Sequence, residues 1–318
     1  MDKLKNDASR TYVYGPVPSR RLGYSLGVDI LPPKTCTLDC IYCQLGATPE
    51  KTVQRKNYVP QDIVLAQIQD VLRSAKHIDY ITFSGSGEPT LNSGIGEMIH
   101  KIKKITRIPV AVLTNATLLA IDRVRKDLLE ADLVAPSLDA ATQALFSEVN
   151  RPHDSLNIAD IIQGLINFRK EFRGQIWLEI MLVKGINDSA EHIQKLKDVM
   201  AKVRPDKVQL NTVIRPPADD AAQPLTFEEL AKIKTFLGER CEIIADFSKH
   251  EQQPHETSLE SAILTTVKRR PVTLSDMAAF LGKHPDEILK HLNRLLDKEQ
   301  VKRVRHGGKT YYEPKKTP

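Results

Sequence analysis

Short apolar runs alternate with longer amphipathic stretches from about Gly27 to Asp246. The runs are rich in Val and Ile, which is typical of strands buried on both faces of a parallel sheet. The stretches between them, such as PQDIVLAQIQDVLRSA, SAEHIQKLKDVMAKV and TFEELAKIKTFLGE, repeat apolar residues at helical spacing, and Thr226 with Glu229 forms a capping-box pattern. The predicted strands are GVDIL, YITFS, PVAVLTN, LVAPSLD, IWLEIMLV, VQLNTVI and CEIIAD.

Repeated βα units imply a parallel sheet with right-handed crossovers, either open or rolled into a barrel. About six units precede CEIIAD, which is fewer than the eight of a complete barrel. We therefore predict an α/β fold, a partial (β/α)6 TIM-like barrel with an N-terminal extension over residues 1–247. Either architecture places chemistry at the carboxyl ends of the strands.

The last part of the chain has a different pattern. Residues 248–258 are polar and free of aliphatic side chains, which predicts a linker. The stretches LESAILTTVKRR, TLSDMAAFLG and PDEILKHLNRLLDKE then precede a hairpin that turns at Gly307 and Gly308. Helices followed by a hairpin predict a winged helix-turn-helix over residues 259–318. From Ser258 onwards 13 Lys and Arg face 7 Asp and Glu, so this part carries all of the formal net charge of +6.

Composition narrows the class of protein. With 318 residues and 41% hydrophobic content, the chain can bury a full core. No apolar stretch reaches the roughly 18 residues that span a bilayer, and the polar N-terminus lacks the apolar segment of a signal peptide. We expect a cytoplasmic protein that does not enter a membrane. In that compartment, clustered cysteines indicate metal or redox chemistry more than disulfides.

Three of the four cysteines lie in CTLDCIYCQ. Cys36, Cys40 and Cys43 have the spacing C-x3-C-x2-C, which suits three corners of a cubane iron–sulfur cluster and leaves one iron without a protein ligand. A structural zinc site is the alternative, but zinc normally takes a fourth Cys or His at short spacing, and His77 is over thirty residues away. Cys241 opens an apolar strand and is predicted to be a core residue.

This cysteine motif, with Tyr42 before its last member and a strand before its first, resembles that of the radical S-adenosylmethionine (SAM) superfamily. The resemblance implies one [4Fe–4S] cluster with three Cys ligands, whose open iron binds SAM. It also implies that an electron cleaves a carbon–sulfur bond of SAM and yields a 5′-deoxyadenosyl radical, which takes hydrogen from the substrate. The cofactors carry that chemistry while the protein orients and shields them. An electron donor such as flavodoxin or ferredoxin is the implied partner.

Later segments extend the resemblance. FSGSGEPTL matches the family's Gly-Gly-Glu-Pro-like segment, where the backbone lies close to the amino group of SAM and glycines permit that approach. The ends of the third, fourth and fifth strands fit more loosely, and helix caps or Asx-turns are the alternative for their short polar residues. The resemblance assigns these residues to SAM: Tyr42, Gly85, Gly87, Glu88, Pro89, Thr114, Asn115, Ser137, Asp139, Ile186 and Asn187.

Within the superfamily, residues 12–217 are most similar to the group related to archaeal wyosine synthases, which build a tricyclic base on transfer RNA. The segments YGPVPSRRLGYSLGVDILPPKTCTLDCIYCQLG and NTVIRPP carry this likeness. Those synthases use a second cluster bound by further N-terminal cysteines, and no cysteine precedes Cys36 here. The likeness therefore implies an RNA base as substrate more than wyosine synthesis itself.

Basic and polar residues are candidates for contact with the substrate. Arg215 precedes two prolines and is expected to grip a phosphate or carboxylate bidentately, with a structural salt bridge as the alternative. We place four residues around the substrate cavity: Arg20, Arg21, Asn211 and Arg215. The predicted winged helix offers six for nucleic acid, either RNA or DNA: Lys290, Arg294, Lys302, Arg303, Arg305 and Lys309. A docking or lid module with a solvated basic face is the alternative.

Three functions compete. The first is a radical SAM enzyme that modifies an RNA base, with transfer RNA favoured. The second is radical SAM modification of a protein or small metabolite, with the winged helix docking a partner. The third, a DNA-binding iron–sulfur redox sensor, has no need for the glycine-rich SAM segment.

Overall fold

The computed structural model describes residues 10–19, 21–75, 77–245, 259–281, 283 and 285–315. Arg20 and the predicted linker, residues 248–258, lie outside the described residues. An eight-stranded sheet runs in chain order, parallel from its second strand to its eighth, as in a partial barrel. Its strands are β1 Val13–Ser19, β2 Gly23–Val28, β3 Tyr80–Phe83, β4 Val110–Thr114, β5 Leu133–Pro136, β6 Gln175–Leu182, β7 Lys207–Thr212 and β8 Cys241–Ile243.

Strand β1 was not predicted from the sequence. It pairs antiparallel with β2, and its register shifts between Tyr14 and Val17. Two prolines interrupt its apolar pattern, and proline is tolerated on an edge strand because one side of such a strand needs no ladder partner. The predicted first strand, GVDIL, also begins and ends later than β2, because the apolar run that suggested it starts inside the strand and continues beyond it.

Amphipathic helices follow most strands. The capping box at Thr226 and Glu229 is confirmed, and the Ser189 side chain caps the preceding helix. The helices of this part are α1 Gln61–Ser74, α2 Ile95–Ile105, α3 Asp122–Asp127, α4 Gln143–Leu145, α5 Ile158–Glu171, α6 Ala190–Val203 and α7 Phe227–Leu237, with a 3-10 turn at Pro89–Leu91 and a π-turn at Phe146–Asn150.

The two faces of the sheet differ in chemistry. On β6, Leu178 and Ile180 belong to the large core cluster beneath the helices, whereas Trp177 packs into a separate apolar cluster with Ala111 and Leu133. Side chains alternate across a strand, so Trp177 and Glu179 share the inner face of the curved sheet. By the same alternation, Gln209 and Asn211 on β7 face inward, because Val208 and Leu210 lie in the large cluster. The interior therefore has an apolar floor and a polar layer above it.

The C-terminal part forms a lobe with its own core, which includes Ile263, Met277 and Leu292. Its helices and hairpin agree with the predicted elements: α8 Leu259–Arg269, α9 Leu274–Leu281, α10 Pro285–Asp297, and an antiparallel sheet of β9 Val272–Thr273, β10 Val301–His306 and β11 Lys309–Pro314. Gly307 and Gly308 make the turn with φ of 53° and 73°, which glycine adopts without strain. In the described ranges no helix is long and apolar enough to cross a membrane.

The lobe contacts the barrel through one face of its hairpin. Tyr311 Oη donates to the Ile214 carbonyl oxygen at 2.5 Å, and a ring nitrogen of His306 lies 3.3 Å from the Val213 carbonyl oxygen. Both Tyr311 and Tyr312 are buried, but it is Tyr312 that packs in the lobe's core. Tyr311 is covered instead where the hairpin meets the barrel. The hairpin therefore lies against the chain just beyond the carboxyl end of β7.

Candidate active site

The segment after β2 that contains Cys36, Cys40 and Cys43, here called the cysteine loop, is held by backbone hydrogen bonds. Thr52 N donates to the Cys36 carbonyl at 3.0 Å, Cys43 N to the Cys40 carbonyl at 3.0 Å, and Ile41 N to the Val149 carbonyl at 3.0 Å. All three cysteines are free thiols of intermediate exposure. The thiols are thus presented by a backbone that neighbouring segments fix in place.

Each of the three thiols has its own N–H donor. Asn115 Nδ2 lies 3.6 Å from Cys36 Sγ, Asn150 Nδ2 lies 3.4 Å from Cys40 Sγ, and Lys34 Nζ lies 3.1 Å from Cys43 Sγ. Donors of this kind stabilise a thiolate and tune a bound iron–sulfur cluster.

The surroundings of the thiols suit a cationic ligand. Burial raises the pKa of Cys36 to about 12, and the Glu88 carboxylate adds to the shift. Burial and then Asp139 raise the pKa of Cys40 well above its ordinary value. A metal replaces the thiol proton and compensates the buried negative charge. Three thiols on one loop can supply one thiolate to each of three of the four irons of a cubane, so the residue types present suit a [4Fe–4S] cluster with one open iron.

The glycine-rich loop after β3 packs against the cysteine loop, backbone to backbone. Lys34 N donates to the Ser86 carbonyl at 2.7 Å and Glu88 N to the Thr35 carbonyl at 3.1 Å. A Cβ on Gly87 would lie 1.9 Å from the Thr35 carbonyl oxygen, so only glycine fits this position. Pro89 then starts the 3-10 turn. The two segments singled out by the sequence therefore form one cradle.

The buried side chain of Glu88 joins the glycine-rich loop to the end of β4 by hydrogen bonds. Its carboxylate is 2% exposed and accepts from Thr90 Oγ1 at 2.6 Å, Thr114 Oγ1 at 2.6 Å and Asn115 N at 2.7 Å. Burial raises its pKa, while the donors from Thr114 and Thr90 oppose the shift. Glu88 thus fastens the glycine-rich loop to the end of β4 and orients Asn115 beside Cys36.

Asp139 plays a similar part on the other side of the cysteine loop, where it joins Tyr42 to β6 by hydrogen bonds. Its carboxylate accepts from Tyr42 Oη, from Asn150 Nδ2 at 2.8 Å and from Met181 N at 2.9 Å. Burial raises the pKa of Asp139 to about 6, against the hydrogen bond from Tyr42. Sequence reasoning missed Asn150, which ends the π-turn and precedes Arg151 at φ 42°. Its signal in the sequence was the polar Asn-Arg-Pro that follows Val149.

Asn187 is wholly buried, and its side chain joins the chain after β5 to the end of β6 by hydrogen bonds. Its Nδ2 donates to the Asp139 carbonyl at 2.8 Å and the Met181 carbonyl at 2.9 Å, and its Oδ1 accepts from Val183 N at 2.7 Å. Ile186, beside it, is partly buried against the cluster that contains Val183. These contacts are neither a helix cap nor an Asx-turn, the alternatives that the sequence left open, because one partner lies 48 residues away and the cap of the next helix is Ser189.

The buried position of Asn187 yields a stability prediction. Asn187→Ala is expected to lower the free energy of unfolding by about 3 kcal/mol, because buried backbone groups would be left without hydrogen-bond partners. Urea unfolding measures this, with Gln194→Ala on the exposed face of α6 as the control. An unchanged midpoint together with weakened SAM binding would contradict this structural role of Asn187 and favour its direct contact with SAM.

The predicted substrate residues divide into two groups. Arg21 Nη1 donates to Glu179 Oε2 at 2.7 Å and Asn211 Nδ2 to Glu179 Oε1 at 2.9 Å, so both converge on one carboxylate inside the barrel. Arg215 is buried and its Nη1 donates to Gln44 Oε1 at 2.9 Å, next to Cys43. Glu179 was missed, although it is the one charged residue in IWLEIMLV.

The six basic residues of the lobe also divide. Arg294 lies 3.5 Å from Glu260, Lys302 pairs with Glu313 at 2.8 Å, and Arg303 donates to Asn293 at 3.1 Å. All six are exposed, including the other three, Lys290, Arg305 and Lys309. Cys241 is 3% exposed in β8, which confirms it as a core residue.

The arrangement defines a class of protein, an α/β enzyme whose site joins clustered thiols to a glycine-rich cradle at the ends of adjacent parallel strands. The model of the radical SAM superfamily matches residues 30–196. The chain belongs to the radical SAM superfamily, and it is a radical SAM enzyme with a [4Fe–4S] cluster and SAM as cofactors.

Relatives extend beyond the matched region. The chain is 32% identical over 309 residues to a UPF0026 protein of Methanocaldococcus jannaschii, covering 95% of both. It is 38% identical over 304 residues to a protein of Brachyspira hyodysenteriae named GTPase Obg, covering 95% of this chain but 45% of that one. The chain thus spans less than half of the length of that relative.

A solved structure shares the fold. The crystal structure of a radical SAM methyltransferase from Sphaerobacter thermophilus matches with a TM-score of 0.55 at 18% identity, over 69% of this chain and 65% of that one. This likeness supports the mostly parallel α/β sheet as the architecture of the site.

Proposed function

We propose that Cys36, Cys40 and Cys43 bind the [4Fe–4S] cluster, one thiolate on each of three irons. The observation that carries this proposal is the separate N–H donor to each thiol. When bound, the cluster supplies the electron that cleaves a carbon–sulfur bond of SAM and starts hydrogen abstraction from the substrate. The chain's own residues hold, orient and enclose the two cofactors.

We propose that SAM lies against the surface that the cysteine loop and the glycine-rich loop form together at the carboxyl ends of the strands. Gly85 and Gly87 keep the second loop close to the first, and Pro89 sets its turn. Tyr42, Asn115 and Ser137 line one small cavity beside the cysteine loop, which is too small to hold SAM itself, so in this proposal they support the edge of the cofactor site. The remaining assigned residues act mainly by positioning these groups: Glu88, Thr114, Asp139, Ile186 and Asn187.

The proposed substrate is an RNA base, with transfer RNA favoured. The likeness to the wyosine synthase group supports it, as does the basic lobe, which we interpret as a winged helix-turn-helix. His306 contacts the segment after β7 and pairs with Lys309 across the hairpin. By strand alternation the exposed Lys309 shares this face and stands near the carboxyl rim, where a phosphate would meet it while a base enters the barrel. The exposed Arg305 lies on the other face of the hairpin, where it would meet a neighbouring phosphate.

Inside the barrel, a polar layer could receive that base. Glu179 accepts from Arg21 and Asn211, and Gln209 Nε2 donates to Glu242 Oε1 at 2.7 Å. Carboxylates and amides in such a layer match the hydrogen-bonding edges of an unpaired base. Arg215, fixed beside the cysteine loop, would serve a phosphate or carboxylate at the rim.

A second candidate is modification of a protein or small metabolite, with the lobe as docking module. It is favoured by the local pairing of Arg294 and Lys302, which reduces the charge that the lobe can offer to phosphates. In either case we propose a small electron donor such as flavodoxin or ferredoxin as a partner.

Salt dependence of RNA binding tests the substrate proposal. With bulk transfer RNA as probe, Arg305→Ala combined with Lys309→Ala is expected to reduce the slope of log affinity against log salt by about 1 to 2, roughly 1 for each phosphate that the protein no longer neutralises. The control combines Lys104→Ala and Lys202→Ala, two exposed lysines on barrel helices. Equal slopes in all three proteins, or no RNA retained at low salt, would favour the second candidate.

A further inference from the structure

Lys34 links the two loops of the site by two different groups. Its backbone N–H donates to the Ser86 carbonyl at 2.7 Å, and its Nζ donates to Cys43 Sγ at 3.1 Å. The residue has φ of 56°, which is uncommon for a residue with a Cβ. It follows Pro32 and Pro33, whose fixed φ limits the paths that the chain can take into this conformation.

The three donors to the thiols are not equivalent. Asn115 and Asn150 are neutral amides at 3.6 and 3.4 Å from their sulfur atoms, whereas Lys34 brings an ammonium group at 3.1 Å. Hydrogen bonds from an ionised donor are roughly twice as strong as neutral ones. Of the three thiols, that of Cys43 is thus the one that accepts from a positively charged donor.

We propose that Lys34 is a positioning residue that orients the Cys43 thiolate and makes the cluster easier to reduce. This inference rests on the proposed function, in which Cys43 is a cluster ligand. In the step concerned, an external one-electron donor is oxidised, one electron enters the cluster, and Lys34 keeps its proton. A fixed cation beside the cluster stabilises the added negative charge, and hydrogen bonds to cluster sulfur are known determinants of potential.

The structure allows the charge to be separated from the backbone contact. Lys34→Met keeps the backbone N–H and an unbranched side chain but removes the charge, whereas Lys34→Arg keeps the charge. Lys51 provides a matched control, because it adjoins the same loop by a bridge to Cys36 but directs its Nζ to the Arg151 and Pro152 carbonyls, at 3.2 and 3.0 Å.

Redox titration of the anaerobically reconstituted full chain, followed by the electron paramagnetic resonance signal of the reduced cluster, tests the inference. Lys34→Met is expected to lower the equilibrium constant for reduction about tenfold, a shift of about 59 mV to lower midpoint potential for one electron. Lys34→Arg and Lys51→Met are expected to keep the parent midpoint.

The outcomes separate this inference from the proposed function. Equal midpoints in the parent and Lys34→Met proteins, at equal iron content, would overturn the inference alone. Loss of iron from Lys34→Met but not from Lys34→Arg would support it, because the charge would then be needed to hold the ligand. A parent protein that binds no iron would overturn the proposed function and this inference with it.

Discussion

Alanine at Cys36, Cys40 or Cys43 is expected to leave a folded protein that binds little iron and cleaves SAM more than about 100-fold more slowly. Loss of an outer partner alone costs 10–100-fold in many metal sites, and here a ligand itself is removed. The amide and ammonium groups beside the thiols are hydrogen-bond donors and offer no lone pair to replace a thiolate. Iron per chain and visible absorption after anaerobic reconstitution measure the effect.

Cys241→Ala is the matched control for this series. Cys241 is buried in β8 within the large core cluster, and burial raises its pKa to about 12. The substitution is expected to spare both iron content and SAM cleavage. Loss of iron from Cys241→Ala, or full iron in any of the other three variants, would show that the ligand set is wrong.

Gly87→Ala is expected to reduce the rate of SAM cleavage by about 100-fold, because a shift of about 1 Å in reacting groups can cost that much. The new Cβ would meet the Thr35 carbonyl oxygen at 1.9 Å, so the glycine-rich loop must move away from the cysteine loop. SAM affinity by calorimetry and cleavage by product analysis report the effect, while iron content is expected to stay close to that of the parent.

Gly307→Ala provides the comparison. Gly307 has φ of 53° with nothing within 4 Å of a Cβ, so alanine there costs only conformational energy, about 1 kcal/mol. SAM binding and cleavage are expected to be unchanged in this variant. If Gly87→Ala also retained parent affinity and rate, the close approach of the two loops would not be what shapes the SAM site.

Local patterns predicted most of the fold. The seven parallel strands and the helices α1, α6 and α7 were readable because buried strands and amphipathic helices repeat at different periods. Strand β1 was not predicted, because its prolines interrupt the alternating apolar pattern and because its pairing with β2 cannot be read from local sequence. The hairpin turn at Gly307 was visible because its glycines punctuate alternating residues.

The site was predictable where spacing along the chain carries the chemistry, as in the cysteine motif and the glycine-rich loop. Asn150 and Glu179 could not be found in this way, because their importance comes from partners about 110 and 158 residues away in the chain, Cys40 and Arg21. Glu88 and Asn187 had recognisable motifs, but only the structure reveals how many backbone groups their side chains satisfy.

Reductive cleavage of SAM by this protein is tested most directly by incubating the anaerobically reconstituted protein with SAM and a strong one-electron reductant and quantifying 5′-deoxyadenosine. 5′-Deoxyadenosine and methionine are expected in equal amounts, dependent on both iron and reductant. Protein fully loaded with iron and sulfide that binds SAM but never releases 5′-deoxyadenosine would contradict this expectation.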